Sequence, residues 1–454
     1  MKDKTRLVAL IDGEHYPPVI KSALEKLKGE EQVELVGLIF LGGTEKISSE
    51  DGVEELGLSL FFIQDLRQDL ERAIDLFRPE EAVDLSDEPV VGYRERMFIA
   101  SVFLARGVVY RGADFIFQPP RFEQVLQKPS LSIIGTGKRI GKTAVSAYAA
   151  RILKDSGFRI CVIAMGRGGP EEPEIIEGDR LEITPDFLLS LSRSGRHASS
   201  DHVEDALVSG VLTVGCRRCG GGLAGVPFVS NVLEGARLAN RLESDFLVFE
   251  GSGAALPLIH TDFRICVVGA NQPLDYIGGY FGTYRVLISD AIVVTMCEEP
   301  LADSHKVRRI DEIARGLKPE IKIIHTIFRP NPLQTIEGRR ILFTSTSNPS
   351  MGGIIKSYLE EKFGCRVIKI SHALSERPRL LEDLTGCEGR YDLILTELKA
   401  ASVDVVTEFA ARRGVEVVYC DNVPVTVGGD GHLSDLISEM AREAKRRFGQ
   451  QDNL

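Results

Sequence analysis

Residues 135–143 read Gly-Thr-Gly-Lys-Arg-Ile-Gly-Lys-Thr, and residues of these types at this spacing point to phosphate chemistry. A phosphate-binding loop wraps backbone N–H groups around a phosphate and sets a lysine beside the terminal phosphates. It also aims a hydroxyl at Mg²⁺ from the first turn of a helix. Lys142 and Thr143 fill the last two roles, and the wrap runs through Gly137, Lys138, Arg139, Ile140, Gly141, Lys142, Thr143 and Ala144. Lys138 and Arg139 add cations that would face a phosphoryl group in transfer, so they join Lys142 as candidate catalytic residues. The common loop, G-x-x-x-x-G-K-[ST], has its first glycine five residues before the second. Here Thr136 occupies that place and Gly135 stands one further back. The loop is a variant.

A second metal contact must come from an acid at the tip of a neighbouring buried strand. Glu250, after the apolar run Phe-Leu-Val-Phe, meets that requirement. With Thr143 it makes the candidate Mg²⁺ pair, and Mg²⁺ and ATP are the expected cofactors. In parallel α/β sheets ligands gather at the carboxyl ends of strands. That rule selects Asp12, Glu14 and His15 from DGEHY, Lys46 from GGTEK, and Arg94 and Arg96 from GYRER. It also selects Arg167 from MGRGG and Arg196 and His197 from SGRHASSD. Arginine suits two-pronged capture of phosphate and lysine supplies a point charge. Together they suit an acidic small molecule. Arg217 and Arg218, inside the turn CRRC, are weaker candidates and are left out of this set.

These residues need elements to position them. Apolar strand-like runs alternate with helix-length amphipathic segments along nearly the whole chain, the pattern of parallel α/β sheets. At 454 residues the chain exceeds what one core normally supports, so two or three domains are expected. The division reads as an N-terminal α/β substrate-binding domain at 1–127 and a P-loop ATP-binding domain with a doubly wound parallel sheet at 128–338. A C-terminal α/β segment follows at 339–454. The proline-bearing stretch QPPRFEQVLQKPS marks the first boundary.

Net charge is −11, which argues against broad binding to nucleic acid or an anionic membrane. No apolar run approaches the roughly 20 residues of a spanning helix, and no charged-then-apolar leader opens the chain, so a cytoplasmic address is expected. Of the eight cysteines, only Cys216 and Cys219 form a C-x-x-C pair. It lacks the second pair of a zinc site; a disulfide or redox role stays open beside the plainer reading of unreactive thiols. Absent tryptophan, sparse amides and abundant Glu and Arg are compatible with a thermophile.

The loop GTGKRIGKT has the length and frame of the G-T-x-T-x-x-G-K-T loop of dethiobiotin synthetases. The stretch SDFLVFEGSGAA is similar to that family's strand ending in E-G-A-G-G. A wider resemblance rests on DGEHYPPV, MGRGGPEEPE, SGRHASSDHVEDA and the loop together. Over essentially its whole length the chain resembles the cyclic 2,3-diphosphoglycerate synthetases of methanogenic archaea. That resemblance implies closure of 2,3-diphosphoglycerate to an intramolecular pyrophosphate with Mg-ATP, in a homodimer. Residue chemistry alone reaches only an Mg-ATP enzyme that activates an acidic small molecule. An alternative from another class is a regulatory P-loop switch of the partitioning or septum-site type. Those carry K-G-G-x-G-K-[ST], and Lys138 is displaced by one place from their signature lysine. The amphipathic C-terminal stripe of Leu433, Leu436, Ile437, Met440, Ala444 and Phe448 would serve that alternative as a membrane-surface helix, or else it packs on its own domain.

Overall fold

Short β-branched and apolar runs, most of them three to eight residues long, form the strands of two sheets in a computed structural model that describes residues 4–46 and 57–451. The chain divides into two units. The first runs to Arg121 and adds Leu274–Ile288 and Ile313–Pro319; the second holds Phe122–Pro273, Ser289–Glu312 and Glu320–Leu454.

Among the described residues of the first unit, six strands form one sheet: β1 (Thr5–Ile11), β2 (Val33–Phe40), β3 (Leu60–Phe62), β4 (Glu81–Asp84), β5 (Val109–Arg111) and β6 (Ile116–Phe117), in the order β3-β2-β1-β4-β5-β6. All neighbours are parallel except β5 and β6. The order reverses between β1 and β4, so the loops that follow those two strands flank the switch point where open sheets bind ligands.

The second unit carries the larger sheet. Its strands are β7 (Ser130–Gly135), β8 (Ile160–Gly166), β9 (Glu174–Glu177), β10 (Leu212–Cys219), β11 (Val229–Ser230), β12 (Phe246–Glu250), β13 (Phe263–Gly269), β14 (Ala291–Thr295), β15 (Lys322–Pro332), β16 (Arg340–Thr344), β17 (Arg366–Ser371), β18 (Leu393–Glu397) and β19 (Glu416–Gly429). The main path is β11-β10-β8-β12-β7-β13-β14-β15-β19-β18-β16-β17, with β9 beside β10. Every residue of β7, β8, β12 and β14 is buried, as expected of parallel strands covered on both faces.

One antiparallel pair joins the two halves of this sheet. β15 pairs with β14 over Lys322–His325, then continues alone along β19 as far as Pro332 opposite Cys420. β18 joins β19 only over Glu416–Cys420. Seven residues of extended chain, roughly 23 Å, therefore separate the two parallel halves along the strand direction. The direction also reverses across the pair. The carboxyl ends of β16, β17 and β18 consequently face those of β7, β8 and β12. Residues 128–338 and 339–454 thus contribute to one sheet.

The helix Lys142–Asp155 follows β7 and lies close to the sheet because its inner face is Ala144, Ala147 and Ala150 with Val145 and Leu153. Alanine also favours the helix itself. Leu433, Leu436, Ile437, Met440 and Ala444 of the C-terminal helix Leu433–Gln451 are buried in the same core cluster as Leu131, Val145 and Leu153. The stripe covers its own sheet. Among the described residues, no helix is long and apolar enough to cross a membrane.

Candidate active site

Between the opposed carboxyl edges lies a cavity of about 750 Å³. One wall is the loop after β7. Gly141, at φ 85°, starts the helix, and a Cβ there would lie 2.1 Å from the Phe328 ring, so only glycine fits. Arg139 also sits in the left-handed region, at φ 58°, a conformation that costs a non-glycine residue about 1 kcal/mol or more and collects at functional loops. Lys142 Nζ donates to the Gly137 carbonyl at 2.7 Å. The lysine is enclosed, and burial pushes its ammonium down to about 8.

Thr143 Oγ1 donates to Glu250 Oε1 at 2.7 Å. Register explains the meeting: β12 lies beside β7, with Glu250 opposite Ile133, so the strand tip reaches the first turn of the helix. Glu250 is 3% exposed, and burial, with Asp201 next, pushes its carboxyl up to about 7. Oε2 is buried with no hydrogen-bond donor among the described residues, as are both oxygens of Asp205. Asp205 is driven well above the usual carboxylate range by burial and then by Glu250. These hard oxygen donors fit Mg²⁺, which takes one or two carboxylates and completes its shell with phosphate and water. Among the described residues no group of three or more His, Cys, Asp or Glu side chains could hold an ion unaided.

Of the residues selected from sequence, Lys138, Arg139, Ile140, Gly141, Lys142, Thr143, Ala144, Arg167, His197 and Glu250 line the cavity. Lys138 is pushed down by burial first and then by its neighbours Arg167 and Arg139. Gly137 takes part through its carbonyl. Arg196 does not line the cavity, because its guanidinium pairs with Glu174.

The other residues from the sequence set lie in the first unit and form a different arrangement. Asp12 is fully buried; it accepts from His15 Nδ1 at 2.7 Å, Glu14 N at 3.0 Å and Asp87 N at 2.5 Å. Lys46 contacts Glu45, and Glu14 is pushed up by its hydrogen bond with Glu45. Arg96 bonds Asp84 at 3.0 Å and the Ser86 carbonyl at 2.7 Å, while Tyr110 also donates to Asp84. Arg94, largely exposed, lies 3.6 Å from Asp275.

The cavity's far wall was not selected from sequence. Glu397, at the end of β18, is buried and accepts from Ser345 Oγ at 2.7 Å, Asn422 at 2.8 Å, and Thr346 N and Oγ1 at 3.0 and 2.8 Å. Burial would raise it, but Lys399 and these donors hold it below the usual range. Lys399 Nζ meets Glu204 at 2.9 Å, and burial still pushes Glu204 up to about 8. Asp201, Glu204, Glu397 and Lys399 all line the cavity. The rule of strand carboxyl ends, applied to TST after β16 and to ELK after β18, would have found this wall. Cys216 is buried, its thiol pushed up to about 12 by burial, and Cys219 is exposed; both are free thiols.

Fold and loop together define a P-loop α/β protein built to take a nucleotide's phosphate chain. Three family models match in series: the N-terminal domain of cyclic 2,3-diphosphoglycerate synthetase over residues 6–118, its P-loop domain over 130–327 and its C-terminal domain over 332–423. The chain is 47% identical to the cyclic 2,3-diphosphoglycerate synthetase of Methanothermus fervidus, covering 98% of each chain. It is 49% identical to the protein of that name from Methanothermobacter thermautotrophicus over 99% of this chain and 98% of the relative. For the one from Rubrobacter xylanophilus the figures are 50%, 96% and 98%. Among solved structures, hydrogenase maturation factor HypB from Archaeoglobus fulgidus aligns at 15% identity with a TM-score of 0.25, over 44% of this chain and 81% of that one. The chain belongs to the cyclic 2,3-diphosphoglycerate synthetase family and is an enzyme.

Proposed function

We propose that this enzyme joins the two phosphates of 2,3-diphosphoglycerate into an intramolecular anhydride, consuming ATP with Mg²⁺ and releasing cyclic 2,3-diphosphoglycerate, ADP and phosphate. The observation that carries the reading is the meeting, in one cavity, of the Thr143–Glu250 pair with Lys138, Arg139, Lys142, Arg167 and His197. An oxygen of one substrate phosphate attacks the γ-phosphoryl of ATP, breaking its bond to ADP. The second phosphate then attacks the first, and inorganic phosphate leaves as the ring closes.

Both steps crowd anions, so cations and N–H donors matter more than a strong base. Lys142 and the loop backbone would bind the β- and γ-phosphates. Thr143 and Glu250 would hold Mg²⁺, which when bound neutralises charge on the transferring group. Arg167 and His197 face the substrate in this reading. Seating the two substrate phosphates side by side makes closure unimolecular, and the wall of residues 339–454 keeps water from the activated group. Residues 128–338 bind the nucleotide. A cytoplasmic homodimer completes the reading, and light scattering of the purified chain checks the dimer.

A phosphorus NMR time course with Mg-ATP and 2,3-diphosphoglycerate tests the reaction. Two monoester resonances should give way to upfield pyrophosphate signals as ADP and phosphate appear. ATP consumed without loss of the monoester signals would sink the substrate assignment.

A further inference from the structure

Beside the P-loop cavity lies a second one, of about 490 Å³, bounded by Arg167, Arg218, the turn Gly220–Gly222 and Ala255. Arg167 lines both cavities. Arg218 is 8% exposed, yet it pairs with no carboxylate at ion-pair distance among the described residues. Its fixed bonds are two: Nη1 donates to the Gly220 carbonyl at 2.8 Å and Nη2 to the Ser252 carbonyl at 2.8 Å. Nε is buried with no partner among the described residues. A buried guanidinium held only by neutral carbonyls is costly unless an anion completes its surroundings.

The second cation is close. A Cβ built on Gly253 would lie 2.9 Å from Arg167 Nη2 and 3.1 Å from Arg218 Nη2, so the two nitrogens are no more than about 6 Å apart. Gly253, at φ 61°, belongs to the turn that follows Glu250. Like charges at this spacing repel, and burial with Arg167 nearby pushes the Arg218 guanidinium down. Two guanidinium forks no more than about 6 Å apart can take a single phosphoryl group between them, each giving charge-assisted N–H bonds to its oxygens.

We infer that the Arg167–Arg218 pair is a seat for one phosphoryl dianion, occupied in the reaction by the substrate phosphate that is not facing the P-loop. The inference rests on the reading of the substrate as a vicinal diphosphate. It adds Arg218 to the substrate contacts and places them at the end of β10 and in the loop after β8 of the second unit. Two sources could supply the same chemistry, the acceptor's phosphate or the inorganic phosphate released on ring closure.

The test is calorimetric titration of the full chain with 2,3-diphosphoglycerate, with inorganic phosphate and with Mg-ADP, for wild type, Arg218→Gln and Gly221→Asp. Gly221 is exposed, and a Cβ there meets only Arg218 Nη1, at 3.6 Å. Its aspartate would plant a carboxylate beside the seat without disturbing the core, so it remains informative if Arg218→Gln fails to fold. Both variants should bind diphosphoglycerate at least tenfold more weakly and Mg-ADP within twofold of wild type. Weakening confined to inorganic phosphate would assign the seat to the released product. Unchanged affinity for both phosphate ligands in both variants overturns the seat. Failure of the substrate reading looks different: wild type would neither bind nor cyclise diphosphoglycerate, while the phosphate titrations would still report on Arg218.

Discussion

At the carboxyl edge of the six-stranded sheet, Asp12 accepts three hydrogen bonds and Asp84 meets Arg96 and Tyr110. At the carboxyl edges of the larger sheet, Glu250 Oε2, both oxygens of Asp205 and Arg218 Nε are buried without partners among the described residues. The two regions draw on similar residue types. In the first, the strand-end carboxylates Asp12 and Asp84 are satisfied by neighbouring donors, although Arg67 Nε is buried there without a partner among the described residues. In the second, burial pushes Lys142 down to about 8 and Glu250 up to about 7. Perturbed groups facing a cavity mark a working site better than the mere presence of charge.

The sharpest way to break this comparison is at the loop. Lys142→Ala should lower turnover roughly 10³-fold, the scale of removing a preorganised charge from a phosphoryl-transfer site. Retained turnover by phosphorus NMR would remove the P-loop from the chemistry. The far wall gives the next largest effect. Lys399→Met leaves Glu204 buried without its 2.9 Å partner, and breaking one side of such a pair should destabilise the fold by about 3 kcal/mol. Urea unfolding of the variant measures it, and a midpoint equal to wild type would show the pair to be dispensable.

His202 offers a pH test inside the second unit. The ring is 5% exposed; burial, then Arg196 and His197, pushes it down to about 4. Its folded value lies below its unfolded value near 6.5. Between these values the unfolded chain binds the extra proton, so stability falls as pH drops from about 6.5 to about 4 and is fully present above 6.5. The contribution is of order 3 kcal/mol. Comparing Tm against pH for wild type and His202→Asn should show the acid-side slope reduced in the variant. Parallel curves would assign the slope to other groups.

Much of this was legible in the chain. The strands LSIIG, RICVIAM, DFLVFE and RICVVG read directly because both faces are buried and the runs are almost wholly apolar. The Thr143–Glu250 meeting was legible because a P-loop demands an acid at a neighbouring strand tip. The opposed carboxyl edges were not. They depend on β15 running seven residues past its last partner on β14 before β18 begins, a register that no local pattern encodes. Without it, Ser345, Glu397 and Lys399 read as part of a separate layer. Arg218 is not selected from sequence because the C-x-x-C stretch draws attention to its thiols and reads as a turn; it is the end of β10, and the informative property is a guanidinium buried without a counter-ion.

Arg94 carries the smallest expected effect and the most discriminating one. It stands in the first turn of the helix Tyr93–Ala105 of the first unit, not in a strand-end loop as the sequence suggests, and a guanidinium suits phosphate. Its guanidinium is two-thirds exposed, with Asp275 at 3.6 Å, a surface pair worth at most about 1 kcal/mol. If function follows unsatisfied buried charge, Arg94→Ala should leave KM for 2,3-diphosphoglycerate within twofold of wild type, with kcat unchanged. A tenfold rise in KM at constant kcat would mean uniform binding energy had been lost there. The first unit would then join the substrate site, and exposed cations at its switch point would have to be weighed equally with the buried ones around Glu250.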